Sequence, residues 1–366
     1  MIKLSGNNYF TGKYSVNELI REMGGKMSEY KVSLDIKNLT KTFPQASISF
    51  LRQGGNGRIG LKEIDLIIYR SEVFAFMGEA QSGLDTLRDC LSGHIRPNRG
   101  KLILHHTDLL YLPPAEFKQY IAKISLISSK NRRPFPFFKT VRSALKKQLQ
   151  DQFYQTDDSM TGFIKDLLQS SGLDESSHNK WIKQLNPLQK LQLGLASASI
   201  QSPFVIILDR PTLNLNSNQR EELVQLINKF RKRMGLTIIL IDNDMDFLDK
   251  AADRIAVMLK DRIVEVGNTA DILKQPLHPY VKKFFNSLNN GLDQNKRSEK
   301  SQKSREKIKE HACPFSHSCE WARKICFHQF PEMKEHSTHR QVACHYYETE
   351  TLSPCQKVIP AFNVAI

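Results

Sequence analysis

The spacing of apolar residues predicts a strand, a loop and a helix in the first third of the chain. Residues 32–43 alternate apolar and polar side chains, which predicts a strand with one buried face. Residues 61–77 predict two more strands, and the second ends in an apolar run. A glycine-containing loop follows at 78–83, and residues 84–91 have helical spacing. This order of elements predicts a phosphate-binding loop.

The second half of the chain combines helical stretches with short β-branched runs. Residues 141–200 have helical periodicity. Residues 204–208 and 236–241 are apolar, β-branched runs, and a helical stretch at 218–234 lies between them. Such runs are typical of parallel strands buried on both faces and joined by a crossover helix. The pattern therefore predicts an α/β fold with a helical insertion.

Composition and charge narrow the class of protein. The 366 residues include 53 Lys+Arg and 38 Asp+Glu, which gives a net charge of +15 at pH 7. The longest apolar runs are far shorter than the ~20 residues of a membrane helix, so no membrane span is expected. Residues 1–26, which precede a second methionine, carry no apolar signal core. The basic residues are scattered or fall in the polar stretch 290–310, without a nucleic-acid motif, so nucleic acid is not an expected partner.

Five of the six cysteines lie beyond residue 312. Cys313, Cys319 and Cys326 are separated by five and six residues, spacings too wide for a zinc ribbon or finger. Cys344 and Cys355 follow. Four thiolates are what a [4Fe–4S] cluster requires. A zinc ion, or four free buried cysteines, is the alternative.

With these elements in place, the chain resembles the ATP-binding subunits of ABC transporters, in the oligopeptide/dipeptide importer branch. The resemblance runs from about residue 32 to residue 347. Its motifs are the strand–loop–helix around Gly78, Asp-Arg-Pro-Thr at 209–212 after a strand, and residues 251–267. Pro-Leu-His-Pro-Tyr at 276–280 and the cysteine tail indicate the importer branch.

The resemblance implies a fold and a division of the chain. The fold is an ABC-type nucleotide-binding domain, with a RecA-like parallel sheet core, an antiparallel β subdomain, a helical insertion and a small C-terminal cysteine-containing extension. The expected divisions are an N-terminal extension (1–31), the nucleotide-binding domain (32–270, with the insertion at about 131–200), a connecting region and polar linker (271–312) and the cysteine-rich extension (313–366).

Several positions where this family carries hydrolytic groups hold unsuitable residues here. Leu84 replaces the lysine of the phosphate-binding loop, and Asp85 replaces its hydroxyl residue. Arg210 stands where a glutamate polarises the attacking water, and a guanidinium cannot act as a general base. The other changed positions are Ser129 (glutamine in the family), Asn243 (histidine), Asn216 (aspartate) and Asn186 with Pro187 and Leu188 in the signature stretch 185–189. We therefore expect no hydrolysis at this site, doubtful binding of ATP and Mg²⁺, and a poor lid for a partner's ATP.

Other positions keep the groups that the resemblance assigns to nucleotide binding. They are Gly78, Ser82, Gly83, Thr86 and Asp209, with Phe43 in the place of the adenine-stacking aromatic. A core aromatic is an equal interpretation of Phe43. If residues 85 and 210 both face the magnesium position, Asp85 and Arg210 form a salt bridge there; the alternative is two solvated charges.

The resemblance also implies a metal site and partners. Cys313, Cys319, Cys326 and Cys344 are expected to hold a [4Fe–4S] cluster. The chain is expected to be a catalytically degenerate subunit of a peptide importer, peripheral on the cytoplasmic face of the membrane. It would pair with a competent homologous ATPase under two transmembrane permease subunits, with a substrate-binding protein acting indirectly. The expected permease contacts are Phe135, Phe137 and Phe138, with a rim of Arg132, Arg133 and Lys139.

Two other functions stay open. The first is a regulatory or scaffold pseudo-ATPase that is not engaged in transport. The second is a conventional ATPase that uses unusual residues.

Overall fold

The structure is a computed structural model that describes residues 3–4, 8–9, 32–44, 58–129, 139–153, 157–289, 311–337 and 340–347. In chain order its strands are β1 (Lys3–Leu4), β2 (Asn8–Tyr9), β3 (Val32–Phe43), β4 (Arg58–Tyr69), β5 (Val73–Gly78), β6 (Arg99–Leu104), β7 (Thr107–Asp108), β8 (Ile124–Ser128), β9 (Val205–Asp209), β10 (Thr237–Ile241), β11 (Arg254–Leu259), β12 (Arg262–Asn268), β13 (Lys334–Ser337) and β14 (Arg340–Val342). The α-helices are α1 (Leu84–Leu91), α2 (Pro114–Ile121), α3 (Val141–Phe153), α4 (Asp157–Ser170), α5 (Pro187–Ile200), α6 (Ser217–Met234), α7 (Met245–Ala251), α8 (Thr269–Lys274) and α9 (Pro279–Asn289).

Two sheets organise the protein. An eight-stranded sheet has the order β13-β14-β12-β11-β5-β10-β9-β8, in which β11, β5, β10, β9 and β8 run parallel. A four-stranded antiparallel sheet has the order β4-β3-β6-β7. The predicted α/β class, with a parallel core and an antiparallel β subdomain, is confirmed.

Strand β5 separates two hydrophobic clusters because its side chains alternate between the faces of the sheet. Val73, Ala75 and Met77 pack on one face with residues of α5, α6 and α9. Phe74 and Phe76 pack on the other with the antiparallel sheet and α1. All six residues of β5 are buried, as expected for a strand covered on both faces.

The predicted helical insertion is also confirmed. Helices α3, α4 and α5 share a separate apolar cluster, which includes Leu145, Leu168 and Leu193. Turns at Gly172 and between residues 174 and 186 separate α4 from α5. None of the helices in the described ranges is both long and apolar enough to cross a bilayer.

The C-terminal part of the chain joins the large sheet. Strand β14 pairs antiparallel with β12, with Val342 opposite Glu265. The fully buried carboxylate of Glu265 accepts a hydrogen bond of 2.6 Å from Arg340, and others from the backbone N–H groups of Leu277 and His278. This buried ion pair ties β14 to the segment that precedes α9.

Candidate functional site

A loop at residues 78–83, called here the Gly78 loop, connects β5 to α1. It lies at the carboxyl edge of the parallel strands, where α/β sheets place their ligand sites. Gly83 has φ +99° and precedes the first turn of α1, in which the Leu87 N–H donates to the Gly83 carbonyl at 2.9 Å. A Cβ at Gly83 would lie 3.0 Å from Asp261 Cα, so glycine fits both the conformation and the space.

A cavity of about 870 Å³ opens beside the Gly78 loop. Phe43 and Thr86 line it, and both touch Gly60, where a Cβ would lie 2.5 Å from the Phe43 ring. The structure thus brings together Phe43, Gly78, Ser82, Gly83 and Thr86. Whether Phe43 stacks on a base stays a prediction.

The side chains of Leu84 and Asp85, at the start of α1, lie in different surroundings. Leu84 is half-buried and packs against the cluster formed by the antiparallel sheet and α1. Asp85 is 61% exposed and accepts an ion-pair contact of 2.9 Å from Arg88. Leu84 therefore supplies packing, and Asp85 supplies a carboxylate to the cavity.

Arg88, which sequence reasoning missed, binds the carboxylate at the end of β9. Its Nη1 lies 2.9 Å from Asp209 Oδ2 and 2.9 Å from Asp85 Oδ1, and its Nε donates to Asp89 at 2.8 Å. Burial alone lowers the pKa of Arg88, but the three carboxylates outweigh it and raise the pKa. The spacing of Asp85 and Arg88 on α1 was a local signal for their pair. Nothing local pointed to Asp209, which is 121 residues away.

Asp209 is held on one oxygen only. Its Oδ2 also accepts a hydrogen bond of 2.7 Å from Ser128, while its buried Oδ1 has no hydrogen-bond partner in the described part of the chain. Ser129 donates its backbone N–H to the Asp209 carbonyl at 3.1 Å. An unpartnered carboxylate oxygen is a group that a hydrated cation can satisfy.

The hypothesis of a salt bridge between Asp85 and Arg210 is wrong. The Asp85 carboxylate pairs with Arg88, and no ion pair among the described residues joins it to Arg210. Arg210 instead lies exposed at the cavity, with φ +52°. The partner of Asp85 is therefore Arg88, on α1, and not Arg210, which follows β9.

Residues after β10 fasten the Gly78 loop. Asn243 accepts from the Gly78 N–H at 3.1 Å and donates from Nδ2 to the Gly78 carbonyl at 2.9 Å. Asp242, which was not predicted, accepts from Thr212 Oγ1 at 2.8 Å and from the backbone N–H of Thr212, Asn243 and Asp244. Burial raises the pKa of Asp242, which those hydrogen bonds only partly oppose. Asn243 therefore positions the Gly78 loop, and Asp242 holds Thr212, which follows β9, to the turn after β10.

Two residues of the signature stretch 185–189 form hydrogen bonds with each other. Asn186 caps α5 by accepting from the Gln189 N–H at 2.8 Å, and Gln189 Oε1 accepts from the Asn186 N–H at 3.0 Å. Gln189 also donates to Ser177 at 3.2 Å. Asn216 caps α6 in the same way. The polar groups of Asn186 and Gln189 are thus engaged within the chain.

The predicted [4Fe–4S] cluster is wrong. In the described residues, no group of three or more His, Cys, Asp or Glu side chains is placed to hold a metal ion. Cys313, Cys319, Cys326 and Cys344 are free cysteines. Burial raises the pKa of Cys313 and of Cys344 to about 11, and the neighbouring cysteines add to that rise. The same absence of a ligand group removes the zinc alternative for these residues.

Two predictions fall on residues that the structure does not describe. Cys355 lies outside the described ranges. So do most of the residues expected to meet a permease, namely Arg132, Arg133, Phe135, Phe137 and Phe138, whereas Lys139 begins a described range.

Two family models match the chain in two separate segments. The family model described as ABC transporter matches residues 61–213, and the one described as oligopeptide/dipeptide transporter, C-terminal region, matches residues 264–326. The methionine import ATP-binding protein MetN of Bifidobacterium longum is 28% identical, over 68% of this chain and 61% of its own length. The oligopeptide transport ATP-binding protein AppF of Bacillus subtilis is 24% identical, over 86% of this chain and 97% of its own length.

Solved structures show the same fold. The structure of cbiO1 from Clostridium perfringens, part of the ABC transporter complex cbiONQ, superposes with a TM-score of 0.58 and 22% identity. The similarity covers 72% of this chain and 97% of that one.

The family match corrects the expectation that binding of ATP and Mg²⁺ is doubtful. The ABC transporter match, residues 61–213, contains the Gly78 loop, α1 and Asp209, which points to nucleotide binding. The residues present fit the pair as well. The unpartnered oxygen of Asp209 and the exposed carboxylate of Asp85 are oxygen ligands of the kind that Mg²⁺ prefers.

Proposed function

The chain belongs to the ATP-binding subunits of oligopeptide/dipeptide ABC transporters, and we propose that it binds nucleotide at the Gly78 loop without hydrolysing it. The observation that supports this most directly is Arg210 at the cavity, in the position of the family's water-polarising residue. Its guanidinium stays protonated and cannot take a proton from water.

The other groups near the loop do not replace that base. Asp242 accepts hydrogen bonds through both oxygens and anchors the chain after β9 and β10. Asp209 Oδ2 is bound to Arg88 and Ser128. Loss of one positioned group of this kind typically lowers a rate about 10²-fold or more. Loss of the base, the lysine and the histidine together leaves binding as the function of this site.

We further propose that the chain pairs with a homologous, competent ATPase and docks on two permease subunits at the cytoplasmic face of the membrane. The oligopeptide/dipeptide C-terminal match supports a place in a peptide importer. Asn186 and Gln189 are engaged with each other, so the chain offers a weak lid to the partner's nucleotide. Its contribution is then to complete the heterodimer and transmit motion.

The same engaged signature supports the second candidate, a regulatory or scaffold pseudo-ATPase outside transport. In that role the chain needs no lid for a partner's ATP. The two candidates differ in whether a permease is bound.

Phosphate release from Mg²⁺-ATP tests the proposal. The full chain is assayed alone, and then in a membrane complex with the homologous ATPase and the permease subunits. We expect background release alone and clear release in the complex. The matched control is a complex whose other ATPase carries an inactivating substitution of its water-polarising glutamate, which should abolish all release. Steady hydrolysis by the isolated chain would refute the proposal, and failure to assemble with any permease would favour the pseudo-ATPase outside transport.

A further inference from the structure

The charges that line the nucleotide cavity are unbalanced. Among the described residues that line it, the acids are Glu79, Asp85, Asp242 and Asp261, and Arg210 is the one base. A phosphate chain that enters therefore meets a wall with a negative excess. Beside the Mg²⁺ that accompanies ATP, a positive side chain that faces the ligand would offset this excess.

Arg88 does not meet that requirement. Its guanidinium bonds to Asp85, Asp89 and Asp209 at 2.8–2.9 Å, and its side chain is 16% exposed. Leu84, at the position of the family's lysine, packs against the core. A cationic side chain for the phosphate chain must therefore come from another element.

Arg210 is placed for this role. Its N–H donates to the Ile241 carbonyl at 2.8 Å, and its carbonyl accepts from the Leu213 N–H at 3.1 Å, so its backbone is held on both sides. Its φ of +52° is rare for a residue with a side chain and is a feature that clusters at functional sites. Within the described ranges, no ion pair or side-chain hydrogen bond engages its guanidinium.

We propose that Arg210 binds the phosphate chain of the nucleotide and supplies the positive charge that Leu84 does not. This inference rests on the nucleotide binding proposed above. A guanidinium offers paired N–H donors that match two phosphate oxygens. Arg210, which cannot act as a general base, thereby sustains the affinity for the phosphate chain. The ligand class is a nucleoside di- or triphosphate.

Calorimetric titration of the full chain tests the inference, with the non-hydrolysable analogue AMP-PNP and with adenosine as probes. Arg210→Gln removes the charge, and Arg210→Lys keeps it. Arg99→Gln is the matched control, because Arg99 is also exposed but does not line the cavity. We expect Arg210→Gln to weaken AMP-PNP binding about 10-fold, less so as salt rises, and Arg210→Lys to retain most of the affinity. Adenosine binding should not change, since it has no phosphate.

Circular dichroism and thermal melting check that each variant is folded. Affinity of Arg210→Gln for AMP-PNP within about 2-fold of the wild type overturns the inference, as does an equal loss for adenosine or the absence of AMP-PNP binding by the wild type. Because AMP-PNP is not hydrolysed, the titration is independent of turnover. Hydrolysis of ATP by the chain would refute the proposed function alone.

Discussion

Substitution of Arg88 by methionine should destabilise the protein through the buried carboxylate of Asp209. Asp209 is 1% exposed, and Arg88 Nη1 lies 2.9 Å from its Oδ2. Removal of one partner of a buried ion pair typically costs about 3–5 kcal/mol, because the remaining charge stays desolvated. The Ser128 hydroxyl still donates to the same oxygen at 2.7 Å, so the lower end, about 3 kcal/mol, is expected.

The rest of the Arg88 contacts add little to this figure. Asp85 is 61% exposed, and an exposed pair contributes about 0–1 kcal/mol. Methionine retains most of the apolar stem of the side chain, so the loss reports on charge more than on packing. The cost therefore belongs chiefly to Asp209.

Urea unfolding followed by circular dichroism measures the cost in a double-mutant cycle. The variants are Arg88→Met, Asp209→Asn and the two combined. Asparagine removes the buried charge, so it should restore about 2 kcal/mol to Arg88→Met. A loss under about 1 kcal/mol in Arg88→Met, or an Asp209→Asn substitution that adds to the loss, would refute the reasoning, since Asp209 would then behave as a hydrated carboxylate.

Three further predictions concern other buried features. Burial lowers the pKa of His278 to about 3, so the unfolded chain takes up a proton there near pH 6.5 and the folded protein does not. Urea unfolding at pH 7.5, 6 and 5 should show stability falling below pH 6.5, with about 1.4 kcal/mol per pH unit from His278. His278→Gln should remove that share and leave the share of His105, whose pKa burial lowers to about 4. Glu265→Gln leaves the buried Arg340 guanidinium without its carboxylate and should lower the free energy of unfolding by about 3 kcal/mol. Proteolysis should then release the C-terminal strands faster, and an unchanged rate of proteolysis would contradict the prediction. Gly83 has φ +99°, so Gly83→Ala should lower the free energy of unfolding by about 1–3 kcal/mol and weaken AMP-PNP binding. Gly162→Ala is the control, because a Cβ there meets no atom within 4 Å, and thermal melting should show it to be neutral or stabilising.

Local patterns predicted the elements whose burial is uniform. The run at 204–208 became β9 (Val205–Asp209), and the run at 236–241 became β10 (Thr237–Ile241), because strands buried on both faces must be apolar throughout. The helix expected at 218–234 is Ser217–Met234, whose cap residue Asn216 carries a readable signal. Strand β8, with the sequence Ile-Ser-Leu-Ile-Ser, was missed since it is short and only partly buried.

The candidate site was predicted as a set of positions, but not as a set of contacts. Gly78, Gly83 and Thr86 line one cavity, because the order of strand, loop and helix determines their neighbourhood, and their part in nucleotide binding stays a prediction. The partner of Asp85 was not predicted, although the i,i+3 spacing of Asp85 and Arg88 on α1 was a readable signal. The sequence could not show that the same guanidinium reaches Asp209 at the end of β9. The cysteine spacing was misleading, because spacing along the sequence does not determine whether the side chains are placed to hold a metal ion, and among the described residues none are.

Strand β13 forms the outer edge of the large sheet, and every residue of its Lys-Glu-His-Ser sequence is exposed. Charged residues on an edge strand discourage pairing with another molecule. Inside it, β14 covers β12, whose residues from Ile263 to Gly267 are buried. Truncation of the protein after α9 would leave β12 as an unpaired edge strand with mostly apolar side chains. Such a fragment should aggregate even if its nucleotide cavity is intact. The C-terminal strands therefore protect the protein from aggregation through β12.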